Sequence, residues 1–145
     1  MRGKLLLACV ALAGLGTSPS TRALATTTVA GEEGCAADAA LDAVVAAPGN
    51  HKVLFENERV RLLDVVVEPG SREPLHAHCW PSVLYVMSRG SRREYDASGQ
   101  VISEQKERPP ASAFPIVTWL EPGAPHALEN LDAQPIHLLR FELKQ

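Results

Sequence analysis

Between residue 51 and the end of the chain, short runs rich in valine, leucine and isoleucine alternate with turn residues every few positions. Val60 to Glu68 is one such run, and it closes at Pro69-Gly70. Ala97-Ser98-Gly99 separates two further runs and ends on a glycine suited to a hairpin turn. Runs of this length and spacing are typical of an all-β domain built as a double-sheet jelly roll. The predicted strands are 52–55, 60–68, 76–78, 83–87, 92–96, 100–104, 116–120, 127–130 and 136–143.

The length and composition fit one domain with many turns. The chain has 145 residues, with 11 prolines, 10 glycines and 46% hydrophobic residues, and we assign residues 51–145 to a single barrel. Residues 26–50 are predicted to be a linker whose first half is disordered. Asp38 to Ala47 is rich in alanine, with larger apolar residues at helical spacing, and predicts one short helix outside the barrel.

Residues 1–25 have the pattern of a secretory signal peptide. Arg2 and Lys4 make a charged start, Leu5 to Leu15 is a short apolar stretch, and Ala23-Leu24-Ala25 is a small-x-small cleavage site. The apolar stretch is too short to span a bilayer. We therefore expect a secreted or periplasmic protein that is not held by a membrane after cleavage.

The charge of the chain argues against a nucleic-acid partner. Cleavage after Ala25 removes three basic residues and no acidic one, so the formal charge moves from −3 to −6. Phosphate backbones are bound by basic faces. A small-molecule ligand is the expected partner instead.

Export also bears on the cysteines. Signal cleavage leaves Cys35 and Cys79 as the two remaining cysteines, in a compartment that permits disulfides. The sequence leaves two alternatives open, a disulfide between them or two separate thiols.

Three histidines suggest a metal site. His76 and His78 flank Ala77, and in an extended segment both imidazoles would project to one face. His126 follows in a Pro/Gly turn late in the chain, where it could arrive from a facing strand. Three neutral imidazoles can hold one divalent cation and leave coordination positions open, as catalysis requires.

The spacing around these histidines resembles the two sequence motifs of the cupin superfamily, over about residues 53 to 143. Gly70, five residues, His76, one residue and His78 resemble the first motif, which ends at Gly90. Gly123, two residues, His126, three residues and Asn130 resemble the second. The resemblance implies a jelly-roll barrel with the metal inside, and pairing through a sheet edge as a homodimer.

The chain departs from the cupin pattern at the fourth metal ligand. The family's first motif carries a glutamate three or four residues after its second histidine, where this chain has Ser82 or Val83, and alignment on Tyr85-Val86 favours Ser82. A neutral hydroxyl is a poor substitute for a carboxylate. Water, Glu121 and His137 remain as alternatives for the fourth position. His51, at the start of the first strand, is interpreted as a surface residue.

Two function classes follow from a three-histidine cupin site. One is a metalloenzyme of dioxygenase or related type acting on a small molecule, with Fe(II) as the expected metal and Mn, Ni, Cu and Zn as alternatives. The other is a non-catalytic module that binds a small molecule or a metal. The histidines argue against a purely structural storage barrel.

Around the metal, four aromatic residues are expected to line a pocket. Arg59 or Arg61 could bind an anionic ligand, whereas the basic run from Arg89 to Arg93 is expected to face solvent. The expected aromatic lining is Trp80, Tyr85, Trp119 and Phe141.

Overall fold

The protein is described by a computed structural model that covers residues 39–144. Within this range the chain forms eight strands, one four-residue helix and two short 3-10 turns, Ala39–Leu41 and Ala111–Ala113. The helix is α1 (Ala43–Ala46). The strands are β1 (His51–Glu56), β2 (Val60–Val67), β3 (Ser82–Ser88), β4 (Arg92–Asp96), β5 (Val101–Gln105), β6 (Ile116–Leu120), β7 (His126–Asn130) and β8 (Ile136–Leu143).

The strands form two antiparallel sheets, which confirms the prediction of an all-β domain. The larger sheet has the order β1-β2-β8-β3-β6 and the smaller one β5-β4-β7. Side chains on β2 alternate between faces, so Leu63, Val65 and Val67 are buried between the sheets. Burial of these apolar side chains is the main stabilising contribution, at about 25 cal/mol per Å² removed from water.

Strand β8 lies in the middle of the larger sheet, between β2 and β3. Val65 pairs with Leu138 on one side, and Val86 pairs with Leu138 on the other. The buried face of β8 carries Ile136, Arg140 and Glu142. Two charged residues therefore lie on the interior face of a central strand, where they need partners.

The hairpin between β4 and β5 was predicted from its turn residues and is confirmed. Gly99 has φ +82, a backbone conformation that other residues rarely adopt. Asp96 accepts hydrogen bonds from the Ser98 and Gln100 backbone N–H groups at 2.8 and 2.9 Å, which fixes the turn.

The segment His76-Ala77-His78 was predicted to be a strand, and that prediction is wrong. His76 makes one isolated antiparallel bridge to His126, and Ala77 makes one parallel bridge to Asp42. The neighbouring Pro74 and Pro81 carry no N–H to donate, so the ladder does not extend. The two histidines still lie on one side of this extended segment, because Ala77 between them faces the N-terminal segment.

The N-terminal segment packs on the barrel at this point. In place of the single helix predicted over residues 38–47 there are a 3-10 turn and the one-turn helix α1, separated by Asp42. Asp42 caps α1 by accepting from the Val44 N–H at 3.0 Å. Ala43 and Ala47 are fully buried, and Ala77 N–H donates to the Leu41 carbonyl at 2.7 Å.

The predicted signal peptide and the first part of the linker lie outside the described residues. No helix within residues 39–144 is long and apolar enough to cross a membrane.

Cys79 is disulfide-bonded. The alternative of two separate thiols is therefore wrong for this residue. The other cysteines of the chain, Cys9 and Cys35, precede the described residues.

Candidate metal centre

Four imidazole rings meet inside the barrel. His51 lies 4.5 Å from His76 and 5.1 Å from His78, measured between ring centroids. His76 and His78 are 5.1 Å apart. His126 joins them at 4.7 Å from His76 and 5.9 Å from His78.

Each ring is positioned by a different part of the fold. His51 begins β1, His126 begins β7, and His76 and His78 occupy the extended segment between β2 and β3. His76 and His126 are held together by two backbone hydrogen bonds, of 2.9 and 2.8 Å. Three of the rings are buried, with exposed fractions of 3% for His51, 1% for His76 and 4% for His78.

All four rings use the same nitrogen to bond the protein. In each, Nδ1 lies within hydrogen-bond distance of an oxygen. Three of these oxygens are backbone carbonyls, which can only accept, and the fourth belongs to the Glu142 carboxylate, whose other oxygen accepts from Arg61, so Nδ1 carries the proton in all four rings. This tautomer leaves the lone pair on Nε2 free to bind a metal. His51 donates to the Ala47 carbonyl at 3.3 Å, and His76 to the Pro74 carbonyl at 2.9 Å. His126 donates to the Ala124 carbonyl at 3.4 Å, and His78 to the Glu142 carboxylate at 2.7 Å.

The environment keeps the rings neutral. Burial lowers the pKa of His51 to about 3 and that of His76 to about 4. Burial also lowers the pKa of His78 well below its ordinary value and lowers that of His126. A neutral imidazole is the form that binds a metal, so the cluster is ready to do so near pH 7 without losing protons.

A fully buried carboxylate orients His78. Glu142 Oε1 accepts from His78 Nδ1 at 2.7 Å, and its Oε2 accepts from Arg61 Nε at 2.5 Å. Arg61 in turn bonds both carboxylate oxygens of Asp42, at 3.0 and 3.1 Å. Such carboxylate–histidine pairs fix ring orientation and raise the basicity of the nitrogen that binds metal.

Glu142 lies opposite the position where the cupin motif would place a glutamate. Ser82 pairs directly with Glu142 across β3 and β8, and both side chains are fully buried. A second carboxylate at position 82 would lie opposite the first, which is destabilising. The buried carboxylate of this site is that of Glu142 on β8, and it contacts Nδ1 of His78, the nitrogen that does not face a metal.

A second buried carboxyl lies beside the cluster. Glu73 is 5% exposed, and its Oε1 is 3.8 Å from His51 Nε2, too long for a hydrogen bond. Its Oε1 has no hydrogen-bond partner among residues 39–144. Burial raises the pKa of Glu73 to about 8, so the carboxyl holds its proton near pH 7.

The rings of the three predicted ligands, His76, His78 and His126, lie in one cluster. The group whose ligand atoms all lie within 4.8 Å of one another is His51, His76 and His78, and it does not include His126. His51 was interpreted as a surface residue, and this is wrong because its ring is buried against His76 and His78. Glu121 is exposed and accepts from Trp119 Nε1 at 2.7 Å, away from the rings. His137 lies on the outer face of β8, where its Nε2 bonds Asp64 at 2.7 Å.

A cavity of about 490 Å³ opens next to the cluster and is lined by all four histidines. None of the four predicted aromatic residues lines it; Tyr85, Trp119 and Phe141 lie on the other face of their strands from the lining residues Leu84, Thr118 and Arg140. Arg61 is engaged with Glu142 and Asp42. The prediction that the run from Arg89 to Arg93 faces solvent is wrong for Arg89 and Arg92, which line the cavity.

The donor set fits a divalent metal ion. One nitrogen from each of His51, His76 and His78 lies within 4.8 Å of the other two. Within residues 39–144, these three residues are the group of potential metal ligands that lie this close together. Two nitrogens at about 2.0–2.1 Å from one ion are at most about 4.2 Å apart, so any two nitrogens at the 4.8 Å limit would have to move closer together to share one ion. Imidazole suits iron, zinc, copper and nickel.

Comparison with known proteins supports the fold. No protein-family model matches the sequence, and no curated protein matches it. Among solved structures, a cupin domain from Bordetella pertussis Tohama I is similar, with 21% identity and a TM-score of 0.51, over 66% of this chain and 92% of that one.

Two further structures have lower scores. A double-stranded β-helix protein from Klebsiella pneumoniae shares 18% identity over 66% of this chain and 74% of that one, with a TM-score of 0.47. An RmlC-like cupin from Methanocaldococcus jannaschii shares 13% identity over 65% of this chain and 78% of that one, with a TM-score of 0.47. The fold conclusion rests on the Bordetella pertussis domain, with its TM-score of 0.51: this chain has a double-stranded β-helix fold like that of a cupin domain.

Proposed function

We propose that the protein binds one divalent metal ion through His51, His76 and His78, with His126 as a fourth ligand, and presents it to a small molecule in the adjoining cavity. The observation that carries the proposal is the shared tautomer. Four buried or half-buried rings donate through Nδ1, and this leaves four Nε2 lone pairs within one cluster. A histidine cluster serving only the core would not need a common tautomer.

The surrounding residues have separate roles in this proposal. Glu142 holds the His78 ring in place, and the backbone pair between His76 and His126 fixes their separation. Aliphatic residues, including Leu84 and Leu138, form an apolar part of the cavity wall. Glu73 holds a proton beside His51, where it can donate to a polar group of a bound ligand.

Fe(II) is the metal we expect, with Mn, Ni, Cu and Zn as alternatives. A bound ion of this kind would supply a Lewis acid that polarises a ligand oxygen and, for iron, redox chemistry with O₂. Under this proposal the protein is a metalloenzyme of the dioxygenase or a related type.

A non-catalytic binding module is the second candidate, and His126 favours it. Structural zinc sites are closed by four protein ligands, whereas catalytic sites keep a position open. If all four imidazoles bind at once around a tetrahedral ion, no position remains for a substrate.

Metal titration tests the proposal. Metal-free protein is titrated with Zn(II), and with Fe(II) without oxygen, by calorimetry. We expect one site, strongly weakened in His51→Ala and His78→Ala and unchanged in His137→Ala, whose ring lies on the outer face. Equal affinity in wild type and His78→Ala would contradict the proposal.

One comparison separates the two candidates. The His126→Ala variant lacks one metal ligand under both candidate functions. Under the enzyme proposal, the variant still binds the metal, and the metal has more open coordination positions. Oxygen consumption by the Fe(II)-loaded protein with candidate substrates would support the enzyme. Spectroscopy showing four bound imidazoles with no exchangeable water would support the binding module.

We also propose that the protein is exported and cleaved after Ala25. This rests on the charged start, the apolar stretch and the cleavage pattern of residues 1–25. N-terminal sequencing of the mature protein should begin at Thr26. A cytosolic chain that retains Met1 would contradict export.

A further inference from the structure

The cavity beside the histidines is positively charged. Among its lining residues are three arginines, Arg89, Arg92 and Arg140, and two glutamates, Glu73 and Glu94. The arginines outnumber the glutamates among the lining residues, and only Arg140 of the three arginines has an ion pair, with Glu142 at 3.6 Å, among residues 39–144.

The three guanidinium groups have buried N–H atoms without partners. Arg89 Nε, Arg92 Nη1 and Arg140 Nε are buried and have no hydrogen-bond partner within residues 39–144. Arg140 is 6% exposed, and its Nε is 3.6 Å from Glu142 Oε1, beyond hydrogen-bond range. A buried donor without a partner is destabilising, more so when it is charged, so unpaired donors on residues that line one cavity indicate a ligand that accepts from them.

The arginines also affect each other. The pKa of Arg92 is lowered by burial and by the nearby charge of Arg89. Burial lowers the pKa of Arg140 to about 10, which still leaves it charged near pH 7. Like charges in one partly enclosed space are unfavourable, and a bound anion would relieve this repulsion.

The alternation of side chains along β4 shows that Arg92 faces the cavity and not the solvent. Arg92 and Glu94 lie on the inner face of β4 and line the cavity. Arg93, between them, lies on the outer face, where its Nη2 donates to Glu104 Oε1 at 2.7 Å. Arg92 therefore lines the cavity, whereas Arg93 forms an ion pair on the outer surface.

The rest of the cavity wall is apolar. Leu84, Ile116, Leu128 and Leu138 are among the residues that line it. A ligand that fills about 490 Å³ must therefore have an apolar body. Guanidinium groups match a carboxylate well, because their planar fork can donate two parallel hydrogen bonds.

We infer that the ligand of this cavity is a small organic carboxylate, whose carboxylate is held by Arg89 and Arg92 with Arg140 at the wall, and whose apolar body lies against the aliphatic strands. The inference deepens the proposed function, since the same cavity is lined by the histidine cluster. The arginine site uses residues that are not metal ligands, so the two can fail independently.

Ligand binding by matched probes tests the inference. Hexanoate and benzoate are compared with 1-hexanol and benzyl alcohol, which keep the apolar body and lack the charge, using thermal stabilisation and calorimetry. The measurement is made on the metal-loaded protein and repeated after chelation. We expect the carboxylates to bind in both states and the alcohols to bind at least tenfold more weakly.

Three variants locate the site. Arg92→Gln and Arg89→Gln should each weaken carboxylate binding about tenfold or more, while Arg93→Gln on the outer face should leave it unchanged. Metal content, measured on the same samples, should match wild type in all three. Two positions are tested separately, so that a folding defect in one variant does not decide the result.

Several outcomes would overturn the inference. One is wild-type protein that binds neither carboxylate. A second is equal binding by Arg89→Gln, Arg92→Gln and wild type. A third is inorganic phosphate binding as tightly as hexanoate, which would assign the site to a bare anion. A fourth is carboxylate binding that is kept in Arg89→Gln and Arg92→Gln but lost when the metal is removed by a chelator. This result would show that the metal, and not the arginines, binds the carboxylate.

Discussion

His78 and Glu142, 64 residues apart in sequence, are joined by a 2.7 Å hydrogen bond from the imidazole Nδ1 to the carboxylate. Both are buried, and Arg61 secures the other carboxylate oxygen. This contact connects the central strand β8 to the histidine cluster. It turns a buried charge, which by itself would be costly, into a support for the site.

Glu142→Gln should weaken metal binding about 10–100-fold, the usual effect of losing a partner of a ligating histidine. It should also destabilise the fold, because it leaves Arg61 buried without its main counter-charge. Calorimetric titration and urea unfolding measure the two effects. Glu104→Gln, which removes an exposed partner of Arg93, is the matched control and should change neither. Unchanged metal affinity in Glu142→Gln would refute the assigned role.

Ser82→Glu restores the carboxylate of the cupin motif and should not improve metal binding. The new charge would be fully buried and opposite Glu142, so we expect a loss of several kcal/mol in the free energy of unfolding. Ser112→Glu, at an exposed position of the 3-10 turn Ala111–Ala113, serves as the control. Tighter metal binding by a stably folded Ser82→Glu protein would show that this position points at the ion.

Acid should destabilise the metal-free protein. The folded-state pKa values of His51 and His76 are lowered to about 3 and 4, so below about pH 6.5 the unfolded chain binds protons that the folded chain does not. Stability should fall from that pH down to the folded pKa values, by up to about 1.4 kcal/mol per pH unit for each histidine. Urea unfolding over a pH series should show a shallower slope for His51→Asn and no change for Lys52→Gln. Identical slopes in wild type and His51→Asn would contradict burial of a neutral ring.

Glu73 should act in the opposite direction. Its folded-state pKa is raised to about 8, so the stability of its neutral form is present below about pH 4.5 and is lost as the pH rises to about 8. Glu73→Gln should therefore be more stable than wild type by a few kcal/mol near pH 9, with little difference near pH 4. The exposed Glu68→Gln is the control. A variant less stable than wild type near pH 9 would show that the ionised carboxylate has a partner.

The strand positions were largely predictable because they depend on local signals. Proline and glycine turns bound most strands to within one or two residues, and β4, β6 and β8 match their predicted bounds. The Ala97-Ser98-Gly99 turn was also correct, since its geometry is set by the glycine and the Asp96 cap. The segment from His76 to His78 was the exception, because prolines near it prevent a continuous ladder.

Which face of a strand points inward was harder to predict. On β8, Ile136 and Leu138 alternate with Leu139 and Phe141, so both faces are apolar in sequence. The inward face is the one that also carries Arg140 and Glu142, contrary to the usual rule that charges face out. This is why His137 was a candidate ligand and the arginines of the cavity were missed.

His51 was missed for a similar reason. It begins an edge strand, and its neighbours Lys52 to Phe55 are exposed, so the local pattern indicates the surface. Its burial depends on the N-terminal segment, where the Ala47 carbonyl accepts from its ring, and on the distant His76 and His78. The sequence signal that could have found it was a histidine just after the predicted helix, at the entrance to the barrel.

The most direct test of the central claim is the metal content of protein purified without added metal, measured by elemental analysis. We predict one divalent ion per chain in wild type and in His137→Ala, and loss of that ion in the His76→Ala/His78→Ala double variant with the β-sheet circular dichroism signal retained. Equal metal content in wild type and the double variant would show that the histidine cluster does not hold the metal.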